Sequence, residues 1–176
     1  MTDHDSRPVP SNAAAPGLLS ALASYRTARQ ELLETMALSG SNRDPLAEVA
    51  EHLVLALWGG RLAESRVQAN YDLVSADGQF VQVKYLANPL GSWPNEHTVR
   101  SISGVDWYAL VIYEAFEVTG VLAFPPALAE ICTALGKRHP GQSTSLQFTR
   151  RNWWAIRDDV ETYRRLGMRV WLPPFH

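Results

Sequence analysis

Asp77-Gly78 sits between two stretches rich in β-forming residues, 71–76 and 80–87. An Asp-Gly pair in that setting is a hairpin signal, because both residues tolerate the backbone a tight reversal needs. Side chains alternate along a strand, so Gln82 and Lys84 share one face while Val81, Val83 and Tyr85 share the other. The loop length then decides where Asp72 falls. A two-residue loop at Asp77-Gly78 sets Asp72 opposite Val83, on the wrong face. A three-residue loop, Ala76-Asp77-Gly78, sets it opposite Gln82, with Gly78 in the left-handed conformation of a G1 bulge. The longer loop is expected here, since it lets Asp72, Gln82 and Lys84 converge.

The neighbouring segments build a domain around that hairpin. Leu18, Leu22, Tyr25, Ala28, Leu32 and Met36 recur at spacings of three or four, which predicts a helix over 18–38. Asp44 suits a helix cap and Pro45 the first helical position, so a second helix should run to Trp58 and stop at Gly59-Gly60. Its apolar face takes in Leu46, Val49, Leu53 and Leu57, with Glu48, Glu51 and His52 elsewhere around it. Residues 88–105 read as a polar loop, 106–113 and 118–124 as paired strands, 126–137 and 151–165 as helices, and 168–172 as a last strand. Residues 1–16, with Pro8, Pro10 and Pro16, read as a disordered tail. The expectation is a single domain over 17–176, of α/β or α+β class, with a central mixed sheet flanked by helices.

Composition narrows the function. There are 16 Lys+Arg against 18 Asp+Glu, a formal charge of -2, so any nucleic-acid contact must come from a local basic face rather than bulk charge. Cys132 is the only cysteine, which excludes a disulfide framework and a cysteine zinc site; its apolar surroundings make it a buried small hydrophobe. No apolar run approaches the ~20 residues that span a bilayer. No signal-like segment opens the chain, so the cytoplasm is the expected location. Neither a GxxxxGK[ST] nor a GxGxxG pattern occurs, so no nucleotide cofactor is expected.

Carboxylate and amide oxygens together suit Mg²⁺, or Mn²⁺, which wants hard oxygen ligands and keeps several waters. A lysine beside such an ion could orient or deprotonate an attacking water. One carboxylate is thin for the metal, and a second could come from Glu51 or Glu48 on the preceding helix. Ala50-Glu51-His52-Leu53, then Tyr71-Asp72 and Gln82-Val83-Lys84, resemble the PD-(D/E)XK nuclease superfamily, the restriction-endonuclease-like fold, over about residues 44–124. The resemblance implies an αβββαβ core, with Glu51 as helix acid (Glu48 the alternative), Asp72 as central metal ligand, Gln82 as third ligand and Lys84 as catalytic lysine. Gln82 stands where an acid is commoner in the family. The implied activity is Mg²⁺-dependent hydrolysis of DNA, by a homodimer or within a larger defence or repair system. The rival expectation is an inactive member kept as a DNA-binding or protein-interaction module.

Further residues are candidates for phosphate contact. His97 and Arg100 lie in the polar loop, and Arg150 and Arg151 precede Trp153 and Trp154. Ser65 and Asn70 could line the cleft. His52 reads as a partly exposed helix histidine. Adjacent helix positions diverge by about 100°, so Trp153 and Trp154 cannot both face DNA.

Overall fold

The computed structural model describes residues 15–64, 70–137 and 144–175. The expected tail, apart from its last two residues, and Ser65 lie outside them. The chain divides into two units, Met1–Pro45 and Leu46–His176. In the first, α1 (Ala15–Thr35) is followed by a turn that Arg29 holds, its guanidinium donating to the carbonyls of Ser41 at 3.0 Å and Arg43 at 2.9 Å. Leu18, Leu19, Leu22 and Tyr25 of this helix are exposed.

The second unit begins with α2 (Pro45–Trp58) and is built on a six-stranded mixed sheet. Its strands are β1 (Arg61–Leu62), β2 (Leu73–Val74), β3 (Phe80–Asn88), β5 (Trp107–Glu114), β6 (Glu117–Phe124) and β8 (Arg169–Trp171), in the spatial order β1-β2-β3-β5-β6-β8. Only β3 and β5 pair in parallel; the other neighbours are antiparallel. A separate ribbon joins β4 (His97–Arg100) to β7 (Ser145–Phe148). The helices α3 (Ala129–Ala134), α4 (Arg150–Asp158) and α5 (Val160–Arg165) complete the unit. No helix of the described residues is long and apolar enough to cross a membrane.

Each sheet face has its own core. Val81, Val83, Ala109, Val111, Val121 and Ala123 point to one side, against Ala50, Val54 and Trp58 of α2. Leu86, Tyr108, Leu110, Ile112, Leu122 and Phe124 point to the other, covered by Val99, Leu146 and Phe148 of the ribbon and by Ile131, Trp153, Ile156 and Tyr163 of the later helices. The alternation of β3, β5 and β6 therefore feeds two apolar layers at once, as expected of strands buried on both faces.

Several boundaries differ from the sequence expectation. The stretch read as a polar loop contains β4, because Thr98 and Val99 alternate against the partner strand β7, which carries no turn residue to announce it. The helix expected over 151–165 breaks at Asp159, whose side chain accepts from the Thr162 N–H and caps α5. The αβββαβ order places a helix after three strands. Here the crossover between β3 and β5, residues 89–106, is not helical: Pro89, Gly91 and Pro94 oppose a helix, and the segment runs through β4 instead. The first helix of the second unit after the hairpin comes only beyond β6.

Candidate functional site

The hairpin between β2 and β3 turns through a three-residue loop. Ser75 donates its N–H to Gln79 O at 2.9 Å, and Gly78 donates to Ser75 O at 2.9 Å, with Gly78 at φ 79°. The pairs Leu73 with Val81 and Val74 with Phe80 fix the register, so Asp72 falls opposite Gln82. Asp72 lies just before the two paired residues of β2, and its carboxylate does what a strand carbonyl would do. Its Oδ2 accepts the Val83 N–H at 2.7 Å, while the Gln82 side-chain amide also donates to it. The Lys84 ammonium is 3.8 Å from the same oxygen. Asp72 and Gln82 are buried at 9% and 8% exposure, whereas the Lys84 side chain is 47% exposed.

Beside this trio opens a cleft of roughly 470 Å³, lined by Asn70, Gln82, Lys84, Arg100, Ser101, Ile102 and Tyr108. Strand β5 supplies Tyr108 because its parallel register with β3 sets Tyr108 beside Gln82. The ribbon supplies Arg100 and, behind the tyrosine, His97, whose Nε2 lies 2.7 Å from the Tyr108 hydroxyl. Burial, and then the charges of Lys84 and Arg100, hold the His97 imidazole below its usual value, which favours the neutral ring. Burial pushes the Tyr108 phenol up to about 12; Arg100 opposes that shift and the Asp72 charge adds to it. The cleft thus sets a protonated phenol beside the Lys84 and Arg100 side chains, with the buried Asp72 carboxylate next to Lys84.

The sequence-derived candidates separate cleanly. Asp72, Gln82 and Lys84 are brought together, and Asn70, Arg100 and His97 lie at or behind the same cleft. Glu48 and Glu51 are buried, at 0% and 4% exposure. They sit on α2, in the layer against the face of β3 opposite Gln82 and Lys84, and do not line the cleft. The expected apolar stripe of α2 is corrected accordingly. Ala50, Val54 and Trp58 are buried with the two glutamates, while Leu46, Val49, Leu53 and Leu57 are only partly covered. A helix apolar around most of its circumference does not announce which stripe faces inward. Arg150 donates to the Gly91 carbonyl at 2.9 Å and stacks over Trp154, its guanidinium carbon 4.4 Å from the ring centroid. Arg151 is exposed, and neither arginine lines the cleft. Trp153 is fully buried and Trp154 is 41% exposed, as their divergence around a helix requires. His52 is half-buried, its Nδ1 2.9 Å from the Glu48 carbonyl oxygen, and Cys132 is buried and free. Tyr108 was hidden in the sequence by its place within an apolar strand; only the β3–β5 register reveals it.

Among the described residues no group of three or more His, Cys, Asp or Glu side chains is placed to hold a metal. Asn70, Ser101 and Tyr108 add side-chain oxygens along the cleft. The oxygen donors of the trio are the Asp72 carboxylate and the Gln82 amide, whose nitrogen faces Asp72. With that amide turned about, the pair suits a weakly held Mg²⁺ or Mn²⁺, which commonly binds through one or two carboxylates and completes its shell with water and substrate phosphate. Comparison with protein-family models and with curated proteins finds no match to this chain.

Proposed function

We propose that the protein is a divalent-metal-dependent nuclease that hydrolyses DNA phosphodiester bonds, a variant of the restriction-endonuclease-like superfamily with Gln-x-Lys on its catalytic strand. One observation carries the reading: an aspartate, a glutamine and a lysine from two paired strands meet at one carboxylate oxygen, beside a cleft that holds a second cation. Asp72 and Gln82 would hold the ion, which supplies a bound water of lowered pKa and polarises the scissile phosphate. Lys84, half exposed beside Asp72, donates to a non-bridging phosphate oxygen and holds the attacking water in line. Arg100 offsets the phosphate charge from the ribbon side. Tyr108 stays protonated, and with the His97 Nε2–H donating to its oxygen, its own O–H points a donor to the same phosphate oxygens. The low exposure of Asp72 keeps bulk water from competing for its carboxylate.

The test is cleavage of supercoiled plasmid with Mg²⁺ or Mn²⁺, with and without EDTA, by the wild type and Asp72→Ala. Nicking by the wild type that EDTA and the substitution both abolish is expected. Four equally inert samples end the reading.

A second reading is an inactive nuclease fold that binds DNA or protein. The Asp72 Oδ2 favours it, because a backbone N–H, an amide and an ammonium already satisfy that oxygen without a metal. It predicts salt-dependent DNA binding without cleavage and little response to Lys84→Ala.

A further inference from the structure

Asp72 lies buried beside the cleft, and its position limits the form of nucleic acid that can reach it. We infer that the site takes a single-stranded or unpaired segment of DNA and not a continuous duplex. The inference rests on the nuclease reading for the reaction, but strand preference is measured without any cleavage.

Three observations point the same way. Asp72 and Gln82 lie nine-tenths buried, while Lys84 and Arg100 are exposed, so a phosphate must leave the surface to reach an ion held by that buried pair. The cavity, at roughly 470 Å³, is toward the lower end of ordinary small-ligand pockets and suits a nucleotide unit rather than a length of double helix. One of its walls is Arg100, the last residue of β4, with Ser101 and Ile102 just beyond it; β4 packs through Val99 on the same sheet face as Tyr108. A duplex is stiff, with a persistence length of about 150 base pairs, and holds its phosphates on a regular surface. Bringing one of its phosphates to a carboxylate as buried as Asp72 requires local unpairing. A single strand has no such constraint, and the Lys84 and Arg100 side chains can meet its backbone as it turns inward.

The experiment measures fluorescence anisotropy of the full chain with a labelled short oligonucleotide, single-stranded or annealed to its complement, in EDTA across a salt series. Cleavage of the same two substrates with Mn²⁺ follows. The single strand should bind about tenfold tighter than the duplex or better. Arg100→Ala and Lys84→Ala should each remove much of that preference and reduce the salt slope by about 0.7. Duplex bound equally or more tightly, no binding to either form, or a preference untouched by both substitutions overturns the inference. Preference retained with no cleavage removes the hydrolytic reading and leaves the strand preference standing. Duplex cleavage without a single-strand preference does the reverse.

Discussion

At the scale of single residues, Asp72 and Lys84 should separate on substitution, because one is buried and the other half exposed. Asp72→Ala strips the acceptor from two buried donors, the Val83 N–H and the Gln82 amide, and should cost about 1–3 kcal/mol in urea unfolding as well as cleavage. Lys84→Ala breaks an ion pair whose lysine faces solvent and should cost under about 1 kcal/mol while still abolishing cleavage. Equal losses of stability would make the trio a structural ion pair. His97 gives a pH signature. Its folded imidazole titrates below the unfolded value of 6.5, so on acidification the unfolded chain takes up the proton first. The stability tied to His97 is therefore intact above pH 6.5 and declines as pH falls. His97→Gln should lower the urea midpoint less than the wild type does between about pH 7 and pH 5. The sequence made Asp72, Gln82 and Lys84 legible because a strand's period of two and a turn of known length fix their relation. Tyr108 escaped because its neighbour Gln82 lies 26 positions earlier in the chain, across a parallel pairing that no local pattern encodes.

At the scale of elements, local signals worked where backbone chemistry is restrictive and failed where packing decides. Gly78 could be read in advance because the expected turn needs a left-handed residue there, and it adopts φ 79°. The α2 start at Pro45 was equally legible. The inward stripe of α2 and the ribbon strands β4 and β7 were not, since their faces are chosen by partners distant in sequence. Gly120 shows the same dependence. It lies in β6 without a positive φ, and a Cβ there would collide with the fully buried Trp153 ring of α4. Gly120→Ala should therefore destabilise by about 1–3 kcal/mol through overpacking, measured in urea. Adding Trp153→Phe should relieve part of that collision, so the double variant should lose less than the two single losses summed. Strict additivity would mean that glycine and ring do not share the notch.

At the scale of the whole molecule, the two apolar layers of the second unit are faces of one sheet. Val83 and Val111 belong to one layer, Leu86 and Leu110 to the other, yet all four sit on β3 and β5. Neither layer can lose its packing while those strands keep theirs, so the unit should unfold cooperatively. The six tryptophans all lie in this unit and sample both sides. Trp58 packs with Trp107 and Trp171 at ring-centroid distances of 5.3 and 5.5 Å, with the Arg169 guanidinium over Trp58 at 4.3 Å. Trp153 and Trp93 belong to the opposite layer. Labelling with fluorotryptophan lets each ring report its own urea midpoint by NMR without any substitution. Coincident midpoints for Trp58 and Trp153 are expected. A lower midpoint for Trp153 alone would mean that the ribbon and later helices detach first. The cleft depends on Arg100 of that ribbon and on Ile102 just beyond it, so such a result would place its wall on a separately unfolding element. Strand preference would then be lost at urea concentrations where the sheet is still folded. Under cooperative unfolding, binding and both tryptophan signals should disappear together.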